Sequence, residues 1–160
     1  MTEDNKRILD DCELELKEIK KWINKNIIDS NVKYLVSYSV IKACGTIEIV
    51  LKSILYEYLS ENSKEETKSY LEKDIIDASF NPSTGQIGNK LEKFNSNKKK
   101  NFDDRLKETE YKNGLNSLVS LRNDIAHGRT NNVTINTVFN YFGQGVNVLK
   151  ILEDVLKTNL

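Results

Sequence analysis

His127 is the single histidine of this chain, and Arg122 stands five residues before it, within the stretch SLRNDIAHGRT, Ser120 to Thr130. Imidazole is the side chain whose unperturbed pKa lies near neutrality, which makes His127 the first candidate for moving a proton. It falls where a helix should end. Gly128 is placed to turn the chain out of that helix, and the helix dipole there favours the protonated ring. Position alone also admits a plainer reading, a polar residue closing a helix. Arg122 is harder to dismiss. At about 100° per residue, Leu115, Leu118, Val119, Ile125 and Ala126 share one face, and Arg122 lies near its middle. Asn123 lies on the border of that face, and Asp124 points to the opposite, solvent side.

A guanidinium on a core-facing stripe needs a partner, because burying an unpaired charge is costly. An earlier helix has its own misplaced charge. Cys44, Ile47, Leu51 and Leu55 share a face, and Glu48 lies within it. Three arrangements satisfy the pattern. Arg122 and Glu48 form a salt bridge that fixes the guanidinium, or each side chain reaches out to the edge of its helix, or the stripe faces a second subunit.

Other chemistries find less support. One His and two separated Cys, Cys12 and Cys44, give no metal-ligand spacing. No GxSxG elbow accompanies the serines. NPSTGQIGNK carries two glycines and a lysine but not the spacing of a phosphate loop. No metal and no cofactor are expected.

The elements that must position these residues are helices. There are 160 residues, enough for one domain over 1–160 with a real core, and only one proline and seven glycines interrupt them. Apolar residues at threes and fours predict a first helix from about Asp4 to Ile27 and a second from about Val32 to Ser60. A short charged helix covers about Lys64 to Ile76. SFNPSTGQIG, Ser79 to Gly88, is the clearest loop, with Ser83 or Thr84 as the cap of a short helix to Phe94. NSNKKKN, Asn95 to Asn101, reads as a polar basic loop. A helix beginning at about Asp103 or Glu110 runs to Ala126, and Thr134 caps the last one, about Ile135 to Thr158. DSN, Asp29 to Asn31, stops the first helix and caps the second. The expected fold is all-α, an up-and-down bundle of four to six helices.

Composition narrows the function classes. The formal net charge is +0, so nucleic acid binding must come from a local patch. NKKKNFDDRLK offers Lys98, Lys99, Lys100, Arg105 and Lys107, with Phe102 as a stacking ring, and Arg129 adjoins the motif. Two cysteines and a polar acidic N-terminus point to a reduced, cytoplasmic protein. Lys42, Glu48 and Lys52 interrupt the most apolar stretch, which argues against a membrane span.

Arg122-Asn123-Asp124-Ile125-Ala126-His127 has the form R-x4-H with a polar residue after the Arg, at the end of a helix. This resembles the HEPN superfamily. The string LRNDIAHG is most similar to its RiboL-PSP branch of bacterial defence and conflict systems, as are VIKACGTIEIVLKSIL and NPSTGQIGNKLEKF upstream. The likeness spans about Val32 to Leu152. It implies a metal-independent endoribonuclease in which the 2′-hydroxyl attacks the adjacent phosphate. On matching positions, Arg122 would bind the scissile phosphate, His127 would act as general acid or base, and Asn123 would orient one of them. Asp124 occupies a variable position of the motif; Glu48, from the helical wheel and not from the resemblance, is the candidate support for Arg122.

The reaction needs both a base and an acid, and each chain has one His. The resemblance therefore implies a homodimer with a composite cleft, RNA as substrate, and an antitoxin or other regulatory partner. The alternative it leaves is a non-catalytic HEPN module that binds RNA, a nucleotide or a partner protein. The HxY form found in toxins paired with minimal nucleotidyltransferases is absent, because Gly128-Arg129-Thr130 follows the His.

Overall fold

A computed structural model describes residues 1–130 and 132–158. The helices are α1 (Glu3–Lys25), α2 (Val32–Ser60), α3 (Glu65–Leu71), α4 (Thr84–Phe94), α5 (Ser96–Lys107), α6 (Tyr111–Ala126) and α7 (Ile135–Lys157), and α3 continues into a π-helical turn at Glu72–Ile76. Short polar side chains begin several of them by accepting a hydrogen bond from a first-turn amide. Thr2 accepts from Asn5 N, Ser83 from Gln86 N, Asn95 from Lys98 N and Thr134 from Thr137 N. The Asp29–Asn31 stretch does not cap α2 as expected. Asn31 is helical and makes no cap bond, and Asp29 Oδ1 accepts instead from Asn31 N at 2.7 Å.

α2 is the centre of the bundle, against α1, α6 and α7. α1 runs antiparallel to it: Thr2 and Asn5 bond Glu57, while Glu15 meets Tyr38 and Lys42. α6 and α7 pair most closely, and two glycines permit the approach. An added Cβ on Gly114 would fall on the Gln144 side chain, and one on Gly145 would press on Ile47 and Leu115 at 3.1–3.3 Å. Leu16, Val40, Ile47, Leu51, Leu115, Leu118, Leu149 and Leu152 fill the centre and are fully buried. By length and composition α2 is apolar enough to cross a bilayer, yet half of its most apolar window is buried in the bundle. That apolarity serves a core helix packed on three sides.

The lysine run departs most from expectation. Asn95 to Asn101 is not a loop but the start of α5, which raises the number of α-helices above six. Lys98, Phe102 and Leu106 are its buried stripe. Lys98 is only 4% exposed. Its Nζ donates to the carbonyls of Val155 (3.1 Å), Leu156 (2.9 Å) and Thr158 (3.0 Å) at the end of α7. Three donors meet three acceptors, at the helix terminus whose dipole favours a cation. Phe102 is fully buried, so it is core and cannot stack a base.

Candidate active site

Leu115, Leu118 and Val119 lie under α7 and α2, but the apolar stripe of α6 then outruns its neighbours. Ile125 is half-buried, and Arg122, Ala126 and His127 are exposed. Arg122 therefore reaches solvent from a stripe that begins in the core. Its Nη1 donates to Asn123 Oδ1 at 3.2 Å. Of the three arrangements the pattern allowed, the Arg122–Glu48 salt bridge does not form, and Arg122 reaches out to solvent. Glu48 pairs with Lys52, one turn along its own helix, at 2.9 Å. Lys52 also donates to the Ile76 carbonyl at 3.2 Å, beneath the π-helical turn. A cation on the same helix reaches Glu48 more easily than one from α6, and Arg122 is left without a carboxylate partner among the described residues. Both charges are still felt at Cys44 between them. Burial pushes that thiol up to about 11, with Arg122 opposing the rise and Glu48 adding to it.

The end of α6 is a locked turn. His127 closes the helix, its N–H bonded to the Asn123 carbonyl at 3.0 Å. Gly128 has φ 69° and donates to Ile125 O at 3.0 Å, while Arg129 N donates to Asp124 O at 2.8 Å. This pair of bonds is the Schellman closure, and it needs a residue that tolerates positive φ. Asp124 does not simply point to solvent. Its side chain is half-buried, and Oδ1 takes Arg129 Nη1 at 3.2 Å. That contact ties the residue after the glycine back to the helix, which makes Asp124 a positioning residue for the turn. His127 is exposed, and its imidazole has no hydrogen-bond partner among the described residues.

The sequence-predicted basic patch divides. Lys98 is withdrawn into the core, Lys99 pairs with Asp103 at 2.7 Å, Lys107 with Asp104 at 2.6 Å, and Arg105 lies 3.9 Å from Asp154. Lys100 is exposed. Lys98 and Arg105 pack at the far end of α7 from the motif, about 30 Å of helical rise between Ile135 and Val155. Within one chain these residues lie too far away to serve the phosphate that Arg122 would hold. Arg129 alone of the expected RNA contacts lies beside the motif.

Sequence reasoning missed the residues facing Arg129 across the chain turn. Lys33, Tyr34 and Ser37 open α2 and line a cleft of about 680 Å³ with Arg129 and Thr130. Their signal was weak: a tyrosine on the polar side of an otherwise apolar helix. Further along the same outer face of α2, Tyr38, Ile41 and Ile49 are exposed, with Gly45 open between them. Among the described residues, no three His, Cys, Asp or Glu side chains converge.

No curated protein and no solved structure matches the chain. The family model RiboL-PSP-HEPN matches residues 7–158, from the second turn of α1 to the last residue described. With Arg122 and His127 closing α6 of an all-α bundle and a family match over nearly its whole length, the chain belongs to the RiboL-PSP-HEPN family.

Proposed function

We propose that this protein is an endoribonuclease that cuts RNA by internal transesterification and works as a two-fold symmetric dimer. HEPN domains are often ribonucleases. The observation that carries the reading here is that Arg122 and His127 are exposed together at one helix end, neither held by a carboxylate. They lie five residues apart, about 7.5 Å of helical rise, a separation the long arginine side chain covers.

In the reaction, the RNA 2′-oxygen gives its proton to a base and bonds to the adjacent phosphorus. The bond from phosphorus to the 5′-oxygen breaks, and that oxygen takes a proton from an acid. The products are a 2′,3′-cyclic phosphate and a 5′-hydroxyl. Arg122, oriented by Asn123, would neutralise the charge that grows on the phosphoryl oxygens. One His127 would take the first proton and a second copy's His127 would supply the other. With one histidine per chain, two copies are required, and the exposed Tyr38, Ile41 and Ile49 on α2 supply an apolar face for their seam. A toxin or antiphage effector with this activity would be held in check by an antitoxin or a sensor.

The test is cleavage of total cellular RNA with EDTA present, wild type beside His127→Ala and Arg122→Ala, with masses from light scattering. Cutting by a dimer that leaves cyclic phosphate ends and is lost in both variants is the expected result. Cutting that persists in His127→Ala rejects the site. One observation favours a second reading, a non-catalytic module that binds RNA, a nucleotide or a partner protein. The expected basic surface is largely neutralised by its own carboxylates. A dimer that cuts nothing yet binds RNA would establish it.

A further inference from the structure

α2 opens on a tyrosine that no other helix covers: Tyr34 keeps 63% of its surface exposed. An exposed ring at a cleft is a surface on which a base can stack. Lys33 Nζ lies 4.8 Å from the centre of that ring. Across the cleft stands Arg129, two residues beyond His127, and two residues of chain span at most about 7 Å. The Arg129 side chain is 71% exposed, and among the described residues its guanidinium pairs with Asp124 alone, at 3.2 Å. Only Nη1 is engaged, by a single bond to Asp124 Oδ1, so the solvated guanidinium keeps donors to offer a phosphate. The carboxylate on the cleft wall, Asp29, is already turned to the Asn31 amide at 2.7 Å.

Resting on the ribonuclease reading, we propose that this cleft holds the nucleotide next to the scissile phosphate. Its base stacks on Tyr34, and its phosphate lies between Arg129 and Lys33. The cleft fits a single strand: a ring takes any base face, two cations take one backbone phosphate, and the Ser37 and Thr130 hydroxyls lie beside them. It sets how the strand is threaded past His127 and contributes affinity without reading a base edge.

The experiment pairs two probes. One is a fluorescent 2′-O-methyl RNA oligonucleotide, which binds but cannot be cut, read by anisotropy. The other is the same strand with free 2′-hydroxyls, read by cleavage. Tyr34→Ala should weaken the anisotropy Kd roughly five- to hundredfold, and Tyr34→Phe should stay within about twofold of wild type, because the stack needs the ring and not the hydroxyl. Arg129→Ala should also weaken binding, and the melting temperatures of all three variants should match wild type. Cutting that is abolished by His127→Ala but has the same KM in Tyr34→Ala and Arg129→Ala overturns the cleft and leaves the ribonuclease. Tyr34-dependent binding without cutting of the 2′-hydroxyl strand overturns the ribonuclease and leaves the cleft. Wild type that binds neither strand overturns the cleft as well.

Discussion

Replacing Lys98 by methionine keeps a long unbranched side chain in the α5 stripe and removes its ammonium. The consequence should be large for a residue in a lysine run. Three carbonyls at the end of α7, those of Val155, Leu156 and Thr158, lose their donor. Leaving a buried acceptor unsatisfied costs about 1–3 kcal/mol. The first two bonds are buried and the third partly so, and the two buried acceptors alone set a range of roughly 2–6 kcal/mol. Water entering the adjoining pocket of about 390 Å³, beside Tyr58 and Asn95, lowers that figure. We expect a loss of about 3 kcal/mol, which for a chain of this length is a fall in Tm of roughly 6–12 °C. Thermal unfolding followed by circular dichroism measures it, with Lys100→Met, an exposed neighbour, as the control that should stay within about 0.5 kcal/mol. A Lys98→Met protein that melts with wild type, or that loses RNA affinity while keeping its stability, would refute the assignment of Lys98 to the fold.

The other expectations concern the motif and its surroundings. Gly128→Ala forces a side chain into φ 69°, and should lower stability by about 1 kcal/mol while reducing cleavage further, because His127 and Arg129 are both hung on that turn; melting and initial rates separate the two effects. Glu48→Gln should lower stability by about 1 kcal/mol through its lost pairing with Lys52, with cleavage unchanged; a selective loss of cleavage would restore a link from Glu48 to Arg122. Cys44 is raised in the fold from an ordinary value of 9.0 to about 11, so its stabilisation is fully present below pH 9 and is lost as the pH climbs through 11. Cys44→Ala should flatten that alkaline decline in denaturant titrations. On the proposed reading Arg122, Arg129 and Lys33 would be the phosphate contacts of one subunit, so single-stranded RNA affinity should fall with salt at a log–log slope of about −2 per subunit engaged. A slope near twice that, abolished by Lys99→Ala and Lys100→Ala, would return the lysine run to the binding surface.

Much of the fold was legible because its signals are local. The apolar periodicity of α1, α2 and α7 set their extents to within a few residues, and Ser83 and Thr134 announced their helices by chemistry that acts over three residues. α5 was hidden for a physical reason. Its stripe is Lys98, Phe102, Leu106, and a lysine at the first place reads as surface unless its partners are known. Those partners are carbonyls 57 to 60 residues away, presented by the end of another helix. No window along the chain contains them.

The site shows the same division between local and tertiary information. His127, Gly128 and the end of α6 follow from the order of residues, since a Schellman turn is written within six of them. The helical wheel rightly singled out Arg122 and Glu48 as charges on apolar stripes, but a wheel assigns directions and not partners. Lys52 stood one turn from Glu48 all along, and a pairing within one helix needs no crossing geometry to form. That substitution matters chemically. A guanidinium bidentate with a buried carboxylate would have to give up that partner to bind phosphate, and the exchange would cancel most of the gain. An arginine held, among the described residues, by the neutral amide of Asn123 alone gives up little. The absence of an Arg122–Glu48 salt bridge therefore supports the proposal that Arg122 meets an anion.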